Sequence, residues 1–208
     1  MVNEVLLVEN LLQGIGINKK CLFQHCYLMA KYFLQQGLSP LETRKRIFDW
    51  ACEYHLYLDA TSLNINRLIY KAQDDKRRLN EEDVNVSAQD IKEITDRFDA
   101  PKTRKTALAL LCYAKAFADR DNRFSVSVIS LCNWVGIGKS QMYVAYLKEL
   151  QAFDYIEQDH SKDRKIHSWD GNVKSQSDVF KLKVKFNQSG EYQLRNNDID
   201  KLYQECFS

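Results

Sequence analysis

The stretch SVSVISLCNWVGIGKSQMYVAYLKELQAFDYI, residues 125–156, constrains the fold more than any other part of the chain. Val128, Ile129, Leu131, Cys132 and Val135 recur at helical spacing until Gly136-Ile137-Gly138 interrupts them. A second amphipathic segment begins at Lys139-Ser140 and carries Tyr143, Tyr146, Leu147 and Leu150, and the apolar run Phe153, Tyr155, Ile156 follows as a strand. Two short helices around a tight glycine turn that buries one aliphatic, with a strand behind them, predict that the second helix faces outward. By helical count Gln141, Met142, Ala145 and Lys148 point away from the apolar face, with Ser140 and Val144 at its borders.

Beyond Ile156, residues Glu157 to Asp178 are polar and rich in turn formers, and Val179 to Phe186 alternate as a half-buried strand should. Paired with residues 153–158, this run predicts a β-hairpin with a long tip. The tip holds Lys162, Arg164, Lys165, His167 and Lys174 against Asp163 and Asp170, and the returning strand shows Lys181, Lys183 and Lys185 outward. Upstream, Ser87 with Asp90 caps a short helix to Phe98, and Pro101 opens a long helix to about Asp119. That helix carries Lys102, Arg104 and Lys105 in its first turn, the wrong sign for the positive end of a helix dipole. The mismatch costs a few tenths to about 1 kcal/mol, which points to an external anion such as phosphate; surface lysines placed by chance are the alternative.

The N-terminal region reads as three helices. Cys21 to Gln36 carries Leu22, Phe23, Cys26, Met29, Ala30 and Phe33 on one face, with Gly37 as its stop. Ser39-Pro40-Leu41-Glu42 forms a capping box for a second helix to about Tyr54, with Leu41, Ile47, Phe48, Ala51 and Trp50 inward. A third starts near Thr61 or Ser62 and buries Leu63, Ile65, Leu68, Ile69 and Ala72. The charged stretch from Gln73 to Asn85 then reads as an exposed helix end running into a linker, its Glu81-Glu82-Asp83 cluster a solvated charge run and not a metal site.

Two prolines and seven glycines among 208 residues favour a helix-rich chain. A net charge of +2 means that any nucleic-acid surface must come from local clustering. Six cysteines without a CxxC pair read as buried thiols in a reduced, cytoplasmic setting. Val5 to Val8 is broken by Glu9 and lacks a basic leader, and no segment reaches the roughly 20 apolar residues of a membrane span. Gly138-Lys139-Ser140 ends like a phosphate-binding loop, but the first glycine of that pattern falls on Asn133 and the preceding residues are helical, not a strand. The four histidines show no zinc spacing, and no serine, histidine and carboxylate constellation can be assembled from local signatures, so no catalytic residue, metal or cofactor is expected.

The LCNWVGIGKSQMYVAYLKELQAFDYIE stretch resembles the winged-helix domains of phage and plasmid replication proteins and transcription regulators. The segment after Gly138 is one residue longer than is usual there. Residues 18–75, with Asn18, Gly37-Leu38-Ser39-Pro40-Leu41-Glu42 and Phe48-Asp49-Trp50, resemble the small helical domain at the C-terminal side of primase modules. That second likeness carries over no catalytic residue.

The expectation is therefore a mainly α chain with a small β wing: an N-terminal three-helix domain over 1–78, a linker over 79–86, a winged helix-turn-helix domain over 87–190, and a tail or short helix over 191–208. It predicts a non-enzymatic protein that binds double-stranded DNA in replication or transcription control. Ser140, Gln141, Val144 and Lys148 would lie in the groove, with Lys102, Arg104, Lys105, Arg164 and Lys165 on phosphates, and Lys139 and Lys162 complete the DNA-binding set. A protein partner would bind the N-terminal domain, and a homodimer is compatible with the sequence. The alternative is an inhibitor or adaptor that grips a host nuclease or polymerase through the same surface.

Overall fold

The computed structural model describes residues 2–56, 62–159, 165–167, 173–175 and 178–207. The chain is mainly helical with small antiparallel sheets. It divides into two units, Asn3–Glu81 and Met1–Val2 with Glu82–Ser208.

Among its described residues the first unit holds α1 (Glu4–Leu12), α2 (Leu22–Gln35), α3 (Pro40–Glu53) and α4 (Ser62–Asp74), four α-helices where periodicity predicts three. The extra one is α1, capped by the Asn3 side chain, which accepts from the Leu6 amide at 2.9 Å; it buries Leu7, Val8 and Leu11. Trp50 on α3 donates its indole N–H to the Leu11 carbonyl at 2.7 Å, which is how a large ring with one polar atom enters a core at no unmet cost. The capping box at Ser39 is present: Glu42 donates its amide to Ser39 Oγ at 3.3 Å and accepts the Ser39 amide at 2.9 Å. Leu41 departs from expectation at 76% exposed, because the buried face of α3 is centred on Thr43, Ile47, Trp50 and Ala51. Phe23, in the first turn of α2, is exposed as well.

Lys31 is buried inside this unit and pairs with Asp75, which also accepts from the Tyr27 hydroxyl at 2.7 Å. Desolvation pushes the Lys31 ammonium below its ordinary range. Burial alone would raise the Asp75 carboxyl, but bonds from Lys31, Tyr27 and the Arg77 amide outweigh it and hold it at about 2.

The expected linker over 79–86 is built into both units. Leu79 lies in the first core, and the Asn80 carbonyl accepts from the Glu4 amide at 2.7 Å. Val84 and Val86 lie in the second core, where β1 (Asn85–Val86) begins the chain's return. Short apolar residues spaced among charges seal against a core without leaving a periodic signal.

The second unit continues with α5 (Ala88–Arg97), α6 (Pro101–Phe117), β2 (Arg123–Val126) and α7 (Val128–Val135). A helix over 139–152, α8, follows, then β3 (Ile156–Gln158), β4 (Lys165–His167), β5 (Val173–Ser175), β6 (Asp178–Leu182), β7 (Tyr192–Gln193) and α9 (Ile199–Phe207). Residues Ala107 to Ala114 of α6 are all buried, as its apolar interior requires. The expected hairpin forms, with Ile156 opposite Leu182 and Gln158 opposite Phe180. Its returning strand β6 also pairs antiparallel with β2, giving the sheet order β2-β6-β3. Residues 191–208, expected as a tail or short helix, supply β7 against β1 and bury Ile199 and Leu202 of α9. Gly190 admits that pairing, because a Cβ there would stand 2.2 Å from the Val86 carbonyl carbon.

Candidate functional site

The corner between α7 and α8 follows from three residues. Gly136 takes φ +72°, a left-handed conformation that ends α7 and suits glycine. Ile137 turns inward and donates its amide to the Cys132 carbonyl at 3.0 Å, and Gly138 opens α8. Trp134 of α7 is anchored twice, donating to the Asn197 carbonyl at 2.7 Å and standing edge-on to Tyr113 at 5.3 Å.

The second helix is not a plain α-helix. Lys139–Gln141 and Lys148–Ala152 are α-helical, and Met142–Leu147 between them is a π-helix. Its inner face is Met142, Leu147 and Leu150, all buried, each worth about 1.5–3 kcal/mol of burial. Met142, expected outward, is therefore in the core. In an α-helix, five steps would set it about 140° from Leu147; the wider π turn returns both to one face. Ser140, Gln141, Val144, Ala145 and Lys148 are exposed, and Lys139 stands at the open end. Val144 is 68% exposed.

Side chains fix the helix to the rest of the unit. Thr103 of α6 donates to Glu149 at 2.6 Å. Tyr143 donates its hydroxyl to Asp178 at 2.7 Å, and the same carboxylate accepts from the Gln158 amide at 3.2 Å. Gln158 ends β3 and Asp178 begins β6, so one buried carboxylate links α8 to both strands at the base of the hairpin.

The basic residues of α6 behave differently from the expectation. Arg104 donates its Nε–H to the Phe98 carbonyl, at the end of α5. Lys105 donates to the Val135 carbonyl at 2.9 Å, at the end of α7, and pairs with Asp200 at 2.5 Å. Both cations serve the negative ends of neighbouring helices. The dipole mismatch is thus answered inside the fold for Arg104 and Lys105, and no external anion is needed to explain them. Lys102 is exposed. Lys162 and Arg164 lie outside the described residues, and Lys165 begins β4, which pairs with β5.

Periodicity does not single out Asp178, Tyr143 as its hydroxyl partner, or Glu149. Each is polar on a segment whose apolar face carries the signal, and only the tertiary arrangement joins them. The glycine corner follows a helix, α7, so it lacks the strand that a phosphate-binding loop needs. Among the described residues, no group of three or more His, Cys, Asp and Glu side chains could hold a metal ion, and no helix is long and apolar enough to cross a membrane. Compared with protein families, curated proteins and solved structures, the chain matches none.

Proposed function

We propose that the second unit is a winged helix that binds double-stranded DNA, and that the protein acts without catalysis in replication or transcription control of phage or mobile-element type. The origin and context rest on the resemblance of residues 125–156 to such domains. The observation that carries the binding reading is α8: its inner face is sealed while Ser140, Gln141, Val144 and Lys148 stand exposed behind a tight corner. The order α6, β2, α7, α8, β3, hairpin tip, β6, with β6 between β2 and β3, agrees with a winged helix. Lys139 and Lys102 join the phosphate-binding set, together with Lys162, Arg164 and Lys165 of the hairpin tip.

Mobility shift of duplex DNA tests the reading. Reversing Arg164 and Lys165 should weaken binding and make the salt slope shallower by about 0.9 for each phosphate no longer neutralised. Unchanged affinity and slope would remove the hairpin from the interface.

A protein-binding reading draws on different residues. Val144 on α8, and Leu41, Phe23 and Tyr70 in the first unit, are large apolar side chains left in water. They suit an adaptor or inhibitor that grips a host nuclease or polymerase, or a protein partner held by the N-terminal unit. No retardation of DNA at micromolar protein, with partner capture that survives nuclease treatment, would favour it.

A further inference from the structure

The chemistry of the exposed strip on α8 is unequal along its length. Its cations are at the two ends, Lys139 and Lys148. Between them stand a hydroxyl, Ser140, which can pair with any base, one amide, Gln141, and two apolar side chains, Val144 and Ala145, all exposed. No arginine, asparagine or exposed carboxylate lies between Lys139 and Lys148. Bidentate readout of guanine by arginine and acceptance from cytosine by a carboxylate are therefore absent from the middle of this face.

What remains has a definite complement. A glutamine amide donates and accepts at once, which matches N7 and N6 of adenine in the major groove. An apolar group matches only one feature of a base edge there, the C5 methyl of thymine. The stiff, branched Val144, exposed beside Ala145 midway between the lysines, supplies such a surface. The flanking lysines give the strip the sign to lie between two phosphate backbones.

On the reading that this unit binds DNA, we infer that α8 reads A·T base pairs in the major groove, with Gln141 on adenine and Val144 with Ala145 against a thymine methyl. The π-helical stretch sets Val144 and Ala145 side by side on the outward face.

The test uses the full chain. Duplexes retained from a random pool are sequenced, and thymines of the selected site are then replaced singly by uracil, which removes the methyl and keeps the pairing. The expected result is an A·T core in which one or two uracils weaken binding about fourfold, the worth of one buried methyl group. Val144→Ala, at an exposed position that leaves the core intact, should bind more weakly and respond less to the same uracil. Gln141→Ala should lose at least about fivefold at one adenine. Tight retention with a G·C core, with no preference, or with every uracil silent would overturn this inference while leaving DNA binding in place. Failure to retain any duplex would overturn both.

Discussion

Replacing Lys115 by methionine should be among the most damaging single changes in the second unit. Lys115 Nζ donates to Asp90 at 2.7 Å and to the Asn85 carbonyl at 2.6 Å, and the two charged side chains are 1% and 3% exposed. Asp90 also closes the capping box of α5, accepting the Ser87 amide and hydroxyl at 2.8 Å each. Methionine fills much of the volume but leaves a buried carboxylate with neutral donors alone and a carbonyl deprived of its donor. Each charge-assisted bond is worth about 1.5–3 kcal/mol, and breaking a buried pair by removing one partner costs about 3–5 kcal/mol in all. Lys183→Met is the comparator. Lys183 meets Glu157 at 3.3 Å on the surface, where such a pair contributes about 0–1 kcal/mol. Urea unfolding followed by circular dichroism at neutral pH should separate the two variants by several kcal/mol. The double variant Lys115→Met with Asp90→Asn should cost less than the sum of its single changes, since the orphaned charge is then gone. If Lys115→Met costs under about 1 kcal/mol, or no more than Lys183→Met, the buried pair does not hold α5 and β1 to α6 as described.

The glycine corner yields a paired contrast. Gly136→Ala meets no atom but must hold φ at +72°, so it should cost about 1–2 kcal/mol, whereas Gly138→Ala, with ordinary φ and open space, should be nearly neutral in thermal melts. Asp178→Ala removes the carboxylate that accepts from the Tyr143 hydroxyl and the Gln158 amide and should cost about 1–3 kcal/mol; adding Tyr143→Phe should cost less than it does alone, and full additivity in urea titrations would refute the link. The Asp75 carboxyl sits at about 2, below its ordinary 3.8, so its contribution is complete above that ordinary value and disappears as pH falls through the folded one. Acid titration of stability should therefore show a loss between about pH 4 and 2 that Asp75→Asn flattens; an unchanged curve would count against the pair with Lys31. Deleting Ala145, an exposed residue of the π stretch, should let α8 run as plain α-helix and change stability by about 1 kcal/mol or less; outright unfolding, seen by circular dichroism, would show that the π turn cannot be dispensed with.

Much of this fold is visible in the chain because its signals are local. Ser39 and Glu42, and Ser87 and Asp90, announce helix starts at fixed spacing, and both capping boxes form. Gly136 marks the corner because a left-handed residue there has few alternatives to glycine. The strands that leave no clear pattern are short or non-local. β2 offers only Phe124 and Val126 as alternating buried positions, too few to separate from a loop leading into α7. β1 and β7 have two residues each and exist through a pairing that spans most of the second unit. α1 is hidden because its short apolar run, broken by Glu9, invites comparison with a leader segment before comparison with a helix.

The candidate site shows the same division between local and tertiary causes. Exposure of Ser140, Gln141, Val144 and Lys148 follows from periodicity and can be read in advance, but Met142 cannot, because its placement depends on a change of helical pitch. An i→i+5 turn holds one residue more than the i→i+4 turn it replaces. A helix pinned at Gly138, at Thr103 by Glu149, and at Asp178 by Tyr143 cannot shed an extra residue at its ends without breaking one of these anchors. A π turn absorbs the residue in the middle instead, and its cost is borne where Val144 and Ala145 face outward. The irregular stretch therefore carries the most apolar part of the exposed strip, so the surface shape at Val144 and Ala145 and the helical register are set by the same six residues, Met142–Leu147.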